Sequence, residues 1–287
     1  PMKGTTFRIS DERIAIANGK INFDDFGLVA PNSQKLALDG DIDINDFSAI
    51  RANLELFASN FEAVNAPRSR GSQIYGIAAL DIDITLRGLL DALVVRGNIN
   101  MLSRTNVYYT MRDSPLEVKE AKQDIVTFVS FTDEETWTQV DSLPLRRQSS
   151  IDVLVNVDIQ DNVRATVNLA ENGSSRIELT GDGSLAFTMN SQGDTRLSGR
   201  YTLSGGQVIY AVPVIGTKEF GINDGSYVEW TGEIANPSFN ITATEATPIR
   251  MVSQDGAVTV VTFDIIIHIS NTLDDMAISF NLQAPRN

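Results

Sequence analysis

Residues 151–159 read Ile151-Asp152-Val153-Leu154-Val155-Asn156-Val157-Asp158-Ile159, and this stretch decides the fold class. Every odd position is Ile or Val, and the even positions carry Asp, Leu, Asn and Asp. Successive side chains of a β-strand point to opposite faces, so a period of two gives one apolar face and one wet face. The same phase continues through Val163, Ala165, Val167 and Leu169, and Leu185-Ala186-Phe187-Thr188-Met189 repeats it. Further upstream, Ile42 and Ile44 alternate with Asp41, Asp43 and Asn45, and Ile82, Ile84 and Leu86 alternate with Asp81, Asp83 and Thr85. Helical periodicity is almost absent. The pattern predicts an all-β chain: one long sheet with an apolar side.

Turn chemistry agrees. Asn18-Gly19, Asp39-Gly40, Asn172-Gly173, Asp182-Gly183, Asp224-Gly225 and Asp255-Gly256 are expected at hairpins or strand junctions, because Asn, Asp and Gly accept positive φ. Short strands at roughly ten-residue spacing indicate an antiparallel architecture. Leu38-Asp39-Gly40-Asp41-Ile42-Asp43-Ile44 is echoed by Leu80-Asp81-Ile82-Asp83-Ile84, which favours stacked similar units over a closed globule. One segment breaks the pattern. Ser114-Pro115-Leu116-Glu117 offers an N-cap, a proline at the first helical position and a capping-box glutamate. It predicts a short helix over 115–123, followed by a strand over 125–131 and a polar loop from Thr132 to Ser149. That loop divides the chain into an N-terminal part, 1–145, and a C-terminal part, 146–287. A second loop is expected around Thr244–Asp255.

Composition narrows the function. The 287 residues carry 37 acids against 23 bases, a formal charge of −14. Nucleic acid is disfavoured as a partner, since its affinity comes largely from Lys and Arg on phosphates, and so is docking on anionic head groups. There is no cysteine, hence no disulfide framework and no thiolate metal site. No apolar run approaches the roughly eighteen residues of a membrane-spanning helix, and the N-terminus has no signal peptide. Pro1 and the end at Asn287 directly after a strand suggest a fragment whose anchor lies elsewhere.

Chemistry finds little purchase. His268, the single histidine, sits in Ile265-Ile266-Ile267-His268-Ile269 and faces away from the odd-numbered isoleucines, as an ordinary sheet residue would. Asp39-Gly40-Asp41-Ile42-Asp43 begins like a calcium loop, but Ile44 and Ile50 stand where that loop needs Gly and Glu. The glycines of Gly181-Asp182-Gly183-Ser184 and Ser204-Gly205-Gly206 open no helix, so they form no phosphate cradle. Paired carboxylates could in principle act on glycans; acids are so frequent here that a pair carries little information. Neither a metal nor a cofactor is expected, and the chain reads as a non-enzyme.

From Gly199 onward the residues resemble a known family. Gly199-Arg200-Tyr201-Thr202-Leu203-Ser204-Gly205-Gly206-Gln207-Val208 is similar to its strand–glycine–strand unit. Gly225-Ser226-Tyr227-Val228-Glu229-Trp230-Thr231-Gly232 is similar to its Gly-Ser, hydrophobic, Trp-Thr-Gly signature, and Asn236-Pro237-Ser238-Phe239-Asn240-Ile241-Thr242-Ala243 to the Asn-Pro strand that follows. The family is TamB, the inner-membrane-anchored large subunit of the translocation and assembly module, related to AsmA-like proteins. The specific part covers roughly 199–243.

The resemblance implies a periplasmic protein whose curled antiparallel sheet forms an open hydrophobic groove, a β-taco. It implies transport of phospholipid between inner and outer membranes, for outer-membrane biogenesis, with an Omp85-type barrel (TamA or BamA-like) as partner. The residues expected to line the groove are Ile42, Ile44, Ile82, Ile84, Val153, Val155, Val157, Val167, Leu185, Phe187, Phe239, Ile241, Ile265 and Ile267. Their task is to solvate acyl chains, which cost about 0.8 kcal/mol per CH₂ to expose, or roughly 12 kcal/mol for a tail of about sixteen carbons. The alternative is a surface β-solenoid that binds glycan or protein through exposed aromatics: Tyr108, Tyr109, Trp137, Tyr201, Tyr210, Tyr227 and Trp230.

Overall fold

The computed structural model describes residues 4–69, 72–111, 150–170, 172–212, 216–252 and 258–283. Sixteen strands make up this part of the chain. The first eight are β1 (Arg8–Ile9), β2 (Ala15–Ala17), β3 (Lys20–Val29), β4 (Lys35–Asp43), β5 (Arg51–Ala66), β6 (Ile74–Leu89), β7 (Ala92–Met101) and β8 (Asn106–Thr110). The remainder are β9 (Ser150–Asn168), β10 (Arg176–Met189), β11 (Thr195–Val212), β12 (Gly216–Ile222), β13 (Tyr227–Gly232), β14 (Ser238–Val252), β15 (Val258–Thr272) and β16 (Ala277–Gln283). All sixteen belong to one sheet, in the order β1-β3-β4-β5-β6-β7-β9-β10-β11-β12-β14-β15-β16, with β2, β8 and β13 attached alongside. No helix occurs among the described residues; the short helix expected over 115–123 lies outside them, as do the strand over 125–131 and the loop after it.

The described strands form one continuous sheet, with no separate second sheet among them. The sheet curls. The rings of Tyr210 on β11 and Phe280 on β16 stand 6.0 Å apart, although β12, β14 and β15 separate the two strands. A flat sheet would hold them about 19 Å apart, four steps of about 4.8 Å.

Aligned irregularities supply a crease. Asn60 bulges from β5 at φ 54°, the turn at 102–105 separates β7 from β8, and the register of β9 and β10 slips between Val163↔Gly181 and Ile159↔Gly183. On β11 the pairing passes from Leu203 to Gly205, leaving Ser204 as the extra residue. Bulges bend a strand and increase its twist, and a row of them bends the whole sheet. Polar groups hold the crease. Thr105 is fully buried, its Oγ1 accepting from the Ala79 N–H at 3.1 Å and donating to the Ala79 carbonyl at 3.2 Å. The Arg104 guanidinium donates to Glu62 at 2.7 Å and to the Asn60 side chain at 2.6 Å.

Three expectations need correction. The sheet is not antiparallel throughout: β9 runs parallel to β7 and β8. Residues 111–149 join β8 to β9, and a parallel neighbour needs such a long crossover rather than a tight turn. The division expected near residue 145 falls outside the described residues. The loop expected around 244–255 is strand up to Val252. Pro248 is tolerated there because β14 pairs with β12 no further than Thr244, so the missing N–H costs no ladder bond on that side. Lastly, Asp39-Gly40 and Asp182-Gly183 lie inside β4 and β10, not at turns. Gly40 has φ 117° and sits so close to β5 that a Cβ would stand 3.1 Å from Leu54 Cα. Asn18-Gly19, Asn172-Gly173 and Asp224-Gly225 do form the expected junctions, and Asp255-Gly256 lies outside the described residues.

Candidate functional site: one apolar face across the sheet

Directly paired residues of adjacent strands share a face, so the register traces the apolar side row by row. One row runs Leu38–Leu56–Ile84–Gly97–Val155–Phe187–Leu197 from β4 to β11. The next runs Leu36–Ala58–Ile82–Ile99–Val157–Leu185–Gly199–Trp230. A third runs Met101–Ile159–Gly183–Tyr201–Val228–Phe239. Beyond the crease the same face carries Tyr109, Val167, Ile177, Val208 and Phe220, then Ile222, Ala243, Ile267 and Phe280. Tyr210 and Phe280 both lie on this face and meet across it, which makes it the concave side.

The expected lining residues within the strands all fall on this side; Ile44 lies one residue past β4, with its N–H on the Gly19 carbonyl at 2.8 Å. They divide by surroundings. Ile42, Ile82, Ile84, Val153, Val157, Val167, Phe187 and Ile265 keep part of their surface accessible. Phe239, Ile241 and Ile267 are 5%, 0% and 1% exposed, packed with Ile177, Val228 and Ile269 in the core of the curled C-terminal end. In this conformation those three present no surface to a ligand. Val155 and Leu185 are also buried.

Leu36, Leu38, Leu54, Leu56, Val95 and Ile99 belong to the same face and were missed from sequence. Their signal was present, since Asn53-Leu54-Glu55-Leu56 and Asn98-Ile99-Asn100-Met101 alternate like the segments chosen. Glycine shapes the face as well. At Gly97 a Cβ would stand 2.7 Å from Ile84 Cα and meet the Asp83 carbonyl, so the close approach of β6 and β7 requires its absence.

The opposite face is polar and ionic. Asp152, Asn156 and Asp158 are exposed there, and ion pairs cross between strands: Lys20–Asp41 at 3.0 Å, Arg96–Asp152 at 2.6 Å and Arg200–Glu229 at 2.8 Å. Exposed pairs of this kind add little stability; they keep the outer face wet. His268 lies on this side, its Nδ1 3.0 Å from Thr242 Oγ1.

Most aromatics offered as outer platforms are otherwise engaged. Tyr201 is buried, and its hydroxyl donates to the Val163 carbonyl at 2.6 Å. Tyr109, Tyr210 and Trp230 sit on the concave side. Tyr108 stacks on Tyr75 with centroids 4.8 Å apart, and the Arg200 guanidinium covers Tyr227 at 3.9 Å. Trp137 lies outside the described residues. Among those residues no cluster of His, Asp and Glu is suited to hold a metal ion.

One large, mostly antiparallel, curled sheet with an apolar concave face and a charged convex face defines the class: an all-β curled-sheet protein. The family model for the TamB C-terminal domain matches residues 24–287. The chain belongs to the TamB family, and the resemblance read at 199–243 extends over nearly its whole length. That membership supports a TamB-type role in the cell envelope. Comparisons with curated proteins and with solved structures give no match.

Proposed function

We propose that the protein is a periplasmic conduit which shields phospholipid acyl chains along its concave face during transport between the inner and outer membranes. One observation carries this reading: rows of apolar residues cross one continuous sheet on a single face, and Ile42, Ile82, Ile84, Val153 and Val157 in them stay partly accessible. An extended exposed apolar surface marks a binding site, and this one has the ribbon shape of an acyl chain. Neighbouring rows on a strand are about 7 Å apart, so a tail lying along one row finds apolar contact at each strand it crosses. The role is solvation and requires no bond chemistry, so the protein works without catalytic residues or a cofactor. Family membership supports an outer-membrane barrel of the Omp85 type as the receiving partner, and an inner-membrane anchor elsewhere in the full-length protein.

Organic extraction of the purified protein followed by mass spectrometry tests the reading. Co-purified phospholipid in near-stoichiometric amount is the expected result. Protein that carries no lipid, and acquires none from vesicles, contradicts it.

A further inference from the structure

Among the described residues the concave face holds one charged pair. Among its paired strand positions every residue is apolar, glycine or uncharged polar except Lys218 on β12 and Glu245 on β14. Lys218 pairs with Tyr210, which shares its face with Val208. Glu245 pairs with Ile265, whose other partner is Leu282. The Lys218 ammonium lies 2.8 Å from Glu245 Oε1, with the two side chains 32% and 21% exposed. The pair spans a fork where β12 and β14 part, their backbone pairing ending at Gly221↔Thr244. Above it stands the Tyr210–Phe280 contact that closes the curl.

A salt bridge is a poor choice for stability in such surroundings. Two apolar residues of similar volume commonly stabilise as well or better, because the desolvation of both charges is avoided. The pair is also incompletely satisfied. Glu245 Oε2 and Thr247 Oγ1, both on the concave side of β14, are buried without a hydrogen-bond partner. Buried polar groups of proteins are nearly always bonded, so unused acceptor capacity beside a lone ion pair in an apolar lining points to a ligand.

Building on the conduit reading, we infer that Lys218 and Glu245 form a polar station for the head group of a zwitterionic phospholipid. The Lys218 ammonium takes the phosphodiester, and Glu245 Oε2 takes a primary ammonium. Charge balance selects this class. The protein pair is net neutral, so a zwitterion laid antiparallel to it leaves no uncompensated charge, whereas an anionic head group would bring one into apolar surroundings. The tails then lie on Ile265 and Leu282, the accessible apolar neighbours on the same face.

The test loads the full chain from vesicles containing equal amounts of phosphatidylethanolamine and phosphatidylglycerol, then extracts and quantifies bound lipid. Wild type is expected to enrich the ethanolamine lipid. Glu245→Gln leaves Lys218 unbalanced and should shift the bound ratio toward the glycerol lipid by roughly tenfold, the weight of one charge-assisted hydrogen bond. Lys218→Met should lower ethanolamine lipid without raising the other. The doubly substituted Lys218→Glu/Glu245→Lys protein restores any purely structural staple across the fork. If both single variants melt lower, the double variant recovers, and the lipid ratio is the same in all four proteins with total lipid unchanged, the station does not exist and the pair only pins β12 to β14. If wild type binds no lipid at all, the conduit reading falls and this one with it.

Discussion

Tyr210 and Phe280 touch across the concave face, their ring centroids 6.0 Å apart, while three strands lie between them in the sheet. This contact brings the edge of the curled sheet over its own apolar face. On one side of it Ile177, Ile241, Ile267 and Ile269 are fully buried; toward β4–β7 the same face remains half accessible. Because Phe280 is 55% exposed, the contact is weak, worth about 0.5–1.5 kcal/mol beyond area burial. Phe280→Ala should therefore leave the global fold intact and loosen β16 alone. Hydrogen exchange is the appropriate measurement: amides of 277–283 should exchange faster, with β9 and β10 unchanged.

The two ends of the face should answer differently to the same substitution. Ile241→Asp places a carboxylate where the side chain has no exposure and no partner, a cost of several kcal/mol that should unfold the C-terminal end. Ile84→Asp places it where water has access, so the melting temperature should fall by only a few degrees, about what 1 kcal/mol costs a domain of this size. Thermal melting separates them. Equal, severe losses at both positions would mean that Ile84 belongs to a packed core.

Tyr201 ties the crease by crossing β10 at Gly183, its direct partner, to reach the Val163 carbonyl on β9. Burial, reinforced by the nearby Asp182 charge, raises its hydroxyl well above the ordinary value of 10.0. The folded state therefore holds its proton where the unfolded chain gives it up. The resulting stability is fully present below pH 10 and declines as pH rises beyond it, as the unfolded state alone ionises. Tyr201→Phe should cost about 1 kcal/mol at neutral pH through the lost hydrogen bond and should make the alkaline decline shallower. Urea unfolding at pH 7 and at alkaline pH checks both parts.

The fold was legible where alternation is strong and one-sided. Ile151–Ile159 sets the phase of β9, and through register β9 aligns the central strands on either side of it. Glycine was the main source of error. Gly40 and Gly183 read as turn residues next to Asp, yet both lie mid-strand on the concave face, where close approach of the neighbouring strand excludes a Cβ. A single sequence cannot distinguish a glycine that turns the chain from one that admits its neighbour. The parallel step at β7–β9 was equally hidden, because alternation specifies faces and says nothing about which strands pair. Lys218 and Glu245 escaped for a related reason. Gly216-Thr217-Lys218-Glu219-Phe220 has no clear phase, and only pairing with Tyr210 shows which way Lys218 faces. Closure of the C-terminal end, which buries Phe239, Ile241 and Ile267 beyond what a simple groove would, depends on contacts between strands far apart in the sheet.

The central claim is that the concave face, and not the convex one, meets acyl chains. Val157 pairs with Leu185 and Ile99 on the concave side, and its neighbour Asp158 is exposed on the other. The most direct measurement places a photo-crosslinking amino acid at each position in turn in the full-length protein in cells, followed by irradiation and detection of lipid adducts. The account predicts phospholipid capture at 157 and none at 158. Equal capture at the two positions, or capture at 158 alone, would contradict it.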